Sequence, residues 1–102
     1  MAIASIERQS DTLVVRPSGR LDTARTPLLD AEIHPHLDGI RIIVMDFSQV
    51  EYITSSCLRL LLWLEQEMED RGGEVRLVHA GEAVLKVLDL SGFSDFIHVI
   101  ED

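Results

Sequence analysis

Apolar and polar positions along the chain switch between a period of two and a period near 3.6, and the switches mark out its elements. Ala2 to Glu7 reads as a short strand, Gln9-Ser10-Asp11 as a turn, and Thr12 to Arg16 (T-L-V-V-R) as the second arm of a hairpin, since it is rich in β-branched residues. Pro17 and Gly19 are expected to end that arm, because proline cannot donate to a ladder and glycine weakens one. Asp22 or Thr23 is placed to cap a helix that carries Pro27 early, where a missing N–H is tolerated. Leu28, Leu29, Ile33 and Leu37 then recur at helical spacing as far as about Gly39. Ile40 to Phe47 (I-R-I-I-V-M-D-F) is a nearly continuous apolar run, which predicts a central strand covered on its faces.

After Asp46-Phe47-Ser48 a short turn is expected, and then a helix from Thr54-Ser55-Ser56 to Asp70 or Arg71, stopped by Gly72-Gly73. Glu74 to His79 alternates as a half-buried strand does. Glu82 to Leu90 is a short helix with Val84, Leu85 and Leu88 on one side, closed by Ser91-Gly92, and Phe96 to Ile100 is a last strand. This order of strands and helices predicts one α/β domain over residues 1–102, with a mixed sheet of four to five strands and helices mainly on one face. In the long helix, at about 100° per residue, Cys57, Leu60, Leu61, Leu64 and Met68 share the side that faces the sheet. Arg59, Gln66 and Asp70 cluster opposite, with Trp63 beside them and Leu62 on the other flank. Trp63 is therefore either an interface anchor, since an aromatic ring buries much area with few rotors, or a ring folded sideways over the sheet edge or the last helix.

The composition narrows the function. A chain of 102 residues with 46% hydrophobic and 26% charged side chains has an ordinary globular balance. Its 18 acidic and 9 basic residues give a net charge of -9, a field that repels nucleic-acid backbones and anionic lipid surfaces and steers in a basic partner. A single cysteine, Cys57, permits no intrachain disulfide and fits a reducing compartment. The start of the chain lacks the basic and apolar segments of a signal peptide. The longest apolar run, Leu60 to Leu64, is too short to span a bilayer. A cytoplasmic location away from nucleic acid and membrane is the expectation.

No enzyme site is legible: there is no phosphate-binding glycine loop with its lysine, no G-x-S-x-G elbow and no H-E-x-x-H pair. His34, His36, His79 and His98 are scattered, so neither a metal nor any other cofactor is expected. Cys57 has a core-facing phase, which suits inert packing better than nucleophilic chemistry. The informative stretch runs from Asp46 to Leu62 (D-F-S-Q-V-E-Y-I-T-S-S-C-L-R-L-L-L). It places hydroxyls where the N–H groups of a helix are unpaired and its dipole favours negative charge. Taken alone, Thr54, Ser55 and Ser56 are caps or an acceptor site for a phosphoryl group.

This segment resembles the signature of STAS-domain anti-anti-sigma factors, with Y-I-T-S-S-C-L-R-L-L in place of the family's serine-bearing helix start. Gly19-Arg20-Leu21-Asp22 resembles the family's G-x-L-D element, and Val84 to Phe93 (V-L-K-V-L-D-L-S-G-F) its closing helix and turn. The resemblance implies a STAS fold and a partner-switching role in transcription regulation, of the kind that serves stress responses. It puts Ser55 at the phosphoacceptor position, with Asp22, Thr54 and Ser56 in the partner-binding set and Asp46 and Cys57 near the phosphosite. Arg59, Leu62 and Trp63 join the partner-binding set by their outward phase on the helix. The implied partners are an anti-sigma factor serine kinase of the histidine-kinase-like ATPase type and a PP2C-type phosphatase. Two positions depart from the family: Thr54 stands where many members carry Asp, and Cys57, where most carry Gly, adds a side chain at the helix start, near where the phosphate and the partner would lie. A non-phosphorylated STAS scaffold, or a small subunit of a transport or signalling complex, is the alternative.

Overall fold

The computed structural model describes residues 3–93 and 98–100. Strands β1 (Ala4–Gln9) and β2 (Thr12–Leu21) form the expected hairpin, turning through Ser10 in the left-handed region. Helix α1 (Thr26–Ile33) with a 3-10 turn (His34–His36), strand β3 (Ile42–Asp46) and strand β4 (Gln49–Ile53) follow. Helix α2 (Ser55–Asp70), strand β5 (Glu74–Val78), helix α3 (Glu82–Ser91) and strand β6 (His98–Ile100) complete the order. Phe96 and Ile97, read as the start of the last strand, and Ala2, read as the start of the first, lie outside the described residues.

Five strands run β1-β2-β3-β5-β6, antiparallel at the first pair and parallel at the rest, and β4 pairs in parallel with the far half of β2. The expected mixed α/β sheet is therefore present, with one strand more. The segment read as a short turn is that strand. Its Q-V-E-Y-I pattern buries Val50 and Ile53 and exposes Gln49 and Glu51, an alternation short enough to pass for a turn beside the serine run that follows.

Strand β2 also outruns its expected end. Its ladder to β3 stops at Val15 and its ladder to β4 begins at Ser18. Pro17 falls in the gap and pairs only toward Ala4 of β1, where its missing N–H leaves no central ladder bond unmade. Gly19, at φ +80, precedes a register shift between Gly19 and Arg20, so the glycine makes a bulge rather than a stop.

The burial of the sheet follows period two. Leu13, Val15, Ile43, Met45, Val75 and Leu77 are fully buried, whereas Ile42, Val44, Arg76 and Val78 are only partly covered. One face thus carries the packed core, correcting the reading of Ile40 to Phe47 as a strand covered on both faces. Leu29 and Ile33 of α1, Leu61, Leu64 and Met68 of α2, and Val84 and Leu88 of α3 join those strand residues in one cluster. Leu28, counted among the periodic leucines, is 54% exposed, because it lies on the flank of α1 away from the sheet. The helix itself begins later and ends earlier than its pattern suggested. Asp22 caps the turn before it, accepting from the N–H groups of Ala24 (3.1 Å) and Arg25 (3.0 Å), and beyond Ile33 the chain tightens into the 3-10 turn that carries Pro35.

Candidate functional site

The split pairing of β2 builds the site. Because its second half holds β4, Leu21 lies opposite Ile53, and the two strands leave the sheet side by side. Thr54 follows in extended conformation and is tied to Leu21 twice, its N–H (3.2 Å) and its hydroxyl (3.1 Å) both donating to the Leu21 carbonyl. Its own carbonyl accepts from Cys57 N (3.0 Å) and Leu58 N (3.2 Å), so Thr54 starts α2 through its backbone. Its side chain is diverted to the sheet, and no side chain caps the first turn of the helix. Ser55, the first residue of α2, is exposed at this uncapped positive end.

The Gly19-Arg20-Leu21-Asp22 element acquires a mechanical meaning here. Gly19 bends the strand, buried Leu21 supplies the carbonyl that anchors Thr54, and Asp22 folds the turn that brings Thr23 to Ser56. Ser56 Oγ donates to Thr23 Oγ1 (3.3 Å) and accepts a long contact from Arg59 (3.5 Å). These residues open a groove of about 570 Å³ between α1 and α2, lined also by Asp30, His34 and Trp63.

Trp63 is 39% exposed, and its ring stacks at 4.7 Å and a 31° tilt on His34, which in turn lies 2.8 Å from Asp30. It therefore leans on the end of α1, not over the sheet edge or the last helix. Leu62 lies on the opposite flank, where with Glu65, Gln66, Glu69, Ser91 and Phe93 it lines a second groove of about 350 Å³ toward the end of α3. The structure thus joins Asp22, Thr54, Ser55, Ser56, Arg59 and Trp63 around the start and outer side of α2, with Leu62 apart from them. His34, read only as a scattered histidine, belongs to the groove; its helical spacing from Asp30 was visible, but nothing in the sequence linked it to Trp63.

The contacts of Asp46 lie elsewhere. Burial alone would raise its carboxyl, but hydrogen bonds from Ser48, the charge of His79 and Arg16 at 3.4 Å hold it below its ordinary value. These contacts tie Asp46 to the ends of β3 and β5 and to β2, not to the first turn of α2.

Cys57 is fully buried among the core residues, in line with its core-facing phase, so its side chain does not reach the surface. Burial pushes its thiol up to about 12. Iodoacetamide at pH 8 is accordingly expected to label Cys57 at least a hundredfold more slowly in the folded chain than in the unfolded one. Rapid labelling under native conditions, followed by mass spectrometry, would contradict this placement. Among the described residues no three His, Cys, Asp or Glu side chains group to hold a metal ion, and no helix is long and apolar enough to cross a membrane.

A mixed sheet carrying helices on one face, with an uncapped serine-bearing helix start beside a glycine-bulged strand, defines a class of domain. The chain belongs to the STAS domain family, whose model matches residues 4–102. BtrV of Bordetella bronchiseptica, described as a candidate anti-sigma factor antagonist, is 28% identical over 90 residues, which are 87% of this chain and 78% of BtrV. A candidate anti-sigma factor antagonist from Thermotoga maritima shares the fold with a TM-score of 0.88 at 22% identity, covering 97% of this chain and 86% of that one. So does the anti-sigma factor antagonist SpoIIAA of Bacillus. Its unphosphorylated form gives a TM-score of 0.84 at 24% identity (97% and 87% covered) and its phosphorylated form 0.76 at 22% (97% and 90%).

Proposed function

We propose that this chain is an anti-sigma factor antagonist whose binding state is set at Ser55. In this reading the unmodified chain binds an anti-sigma factor that is a serine kinase of the histidine-kinase-like ATPase type, and binding frees the sigma factor. The kinase passes the γ-phosphoryl group of ATP to Ser55 Oγ, forming the O–P bond as the bond to ADP breaks, and the pair separates. A PP2C-type phosphatase hydrolyses the ester and restores the hydroxyl.

One observation carries the reading: Ser55 is exposed on a first turn that no side chain caps, because Thr54 spends its hydroxyl on Leu21. The unpaired N–H groups and the helix dipole accept a dianion there without unfolding the domain. A partner surface closed over the same turn does not accept it unless it supplies cations. The family membership and the relatives described as antagonists support the same role. Co-purification from native cytosol, followed by site-mapped phosphorylation with the recovered kinase, tests it. Label on Ser55 is the expected result; label on Thr54 or Ser56 moves the site, and normal partner binding without any label favours a scaffold.

The outer side of α2 supplies the docking surface in this reading. Trp63→Ala is expected to weaken the complex by about 2 kcal/mol, roughly thirtyfold, as loss of a central aromatic anchor does. The melting temperature should change little, since the ring is partly exposed and stacks on His34 outside the buried core cluster. Calorimetric titration beside a thermal melt separates the outcomes, and lost folding with unchanged affinity would make Trp63 a packing residue.

A further inference from the structure

We infer that Arg59 is the intramolecular receptor of the Ser55 phosphoryl group, a latch that removes the hydroxyl and the guanidinium from the docking surface in one step. The inference rests on the proposed phosphorylation of Ser55 and adds to it what the modified state does with the new charge.

Ser55 and Arg59 stand one turn apart on α2, both exposed, so their side chains share a flank of the helix. The anion is N-terminal to the cation at i,i+4, the favourable orientation for such a pair. Arg59 is also free to move. Its contact in the unmodified chain is the 3.5 Å approach to Ser56 Oγ, and it has no carboxylate partner among the described residues. Ser56 keeps its bond to Thr23 when Arg59 leaves. A guanidinium matches a phosphate with two parallel N–H···O bonds, and the phosphoryl group brings about -1.5 to -2 charges. In a chain of net charge -9, this unpaired arginine is the cation that the geometry delivers to that charge.

The consequence reaches the groove. In the unmodified chain Arg59 lines it together with Ser56 and Trp63. Turned back toward Ser55, it gives up that wall, so phosphorylation alters the groove as well as the helix start. The other charged or titratable groups on the elements around this face are Arg20 at the end of β2, Asp22 and Arg25 in the turn before α1, and Asp30 and His34 on the α1 side. Arg20 is engaged with Tyr52, and Arg25 with the carbonyls of Ser18 and Arg20.

The test places phosphoserine at position 55 of the full chain by semisynthesis, in the parent, Arg59→Gln and Arg59→Lys forms, and titrates each by 31P NMR. The second ionisation of the phosphate is expected about 0.3 unit or more lower in the parent than in Arg59→Gln, from the strength of a helical ion pair and the free energy of a pKa unit. Arg59→Lys restores part of that difference, because it keeps charge without the fork. Since Asp22, Asp30 and His34 are common to all three forms, their own titration cancels in the comparison. Superimposable titrations of the parent and Arg59→Gln, with both chains folded by circular dichroism, overturn the latch whatever the kinase does. Failure of the kinase to label Ser55 in the unmodified parent overturns the switch itself, even where the semisynthetic chain shows the pairing, so the two failures are distinguishable.

Discussion

Ser55→Asp is expected to lose about a hundredfold in affinity for the anti-sigma factor, while Ser55→Ala keeps full affinity in the presence of kinase and ATP. The magnitude follows from burying one unpaired charge at an interface, about 3 kcal/mol, with each 1.4 kcal/mol worth a factor of ten. Neither substitution is expected to cost stability. Ser55 is exposed and makes no cap, and a carboxylate at the first position of α2 interacts favourably with the helix dipole by about 0.5 kcal/mol. Ser56→Ala provides the control, since Ser56 Oγ is tied to Thr23 and points along the groove; phosphorylation of the chain should survive it. Binding measured before and after incubation with kinase decides the matter. Equal affinity of the Asp and Ala variants would sink the charge-exclusion account, even if Ser55 were labelled.

Gly73→Ala is expected to be the most damaging single methyl group in the chain, destabilising it by about 3 kcal/mol, the upper end for a forced overpacking. A Cβ at Gly73 would lie 1.9 Å from the carbonyl oxygen of Arg41, and the obstacle is backbone. That same oxygen accepts the N–H of Glu74 (2.9 Å) at the point where β5 enters the sheet beside β3, and Gly73 N–H donates to Met68 at the end of α2 (2.7 Å). Moving Arg41 away therefore disturbs the junction of α2 with the central ladder. For a domain of this size the loss corresponds to a fall in Tm of about 10–20 °C. Gly72→Ala is the internal comparison: Gly72 lies at φ +76 with open space around it, so alanine there meets only the left-handed backbone cost of about 1 kcal/mol. If the two variants melt together, the close approach at Gly73 is not what constrains the position.

Period and punctuation made much of the fold legible. Five of the six buried positions of the long helix from Ser55 to Asp70, all but Leu58, followed from helical phase, because burial on one side and solvent on the other impose a 3.6-residue pattern whatever the neighbours are. Its stop followed from the glycine pair. The same argument found α3 and the strand at Glu74, and the resemblance over Gly19 to Asp22, Asp46 to Leu62 and Val84 to Phe93 identified the family.

What escaped were features set by partners distant in the chain. Pro17 and Gly19 read as stops; they are a ladder gap and a bulge only because β3 and β4 share the two halves of β2. Strand β4 read as a turn, since five residues of weak alternation become a strand only when β2 offers an edge to pair with. Helical phase put Leu62 and Trp63 on opposite flanks of the outer side of α2, but that the ends of α1 and α3 make a separate groove at each flank was not legible. Local side-chain chemistry placed Ser55 at a helix start. That its first turn is left uncapped was decided in tertiary space, where the Thr54 hydroxyl reaches a carbonyl 33 residues back along the chain.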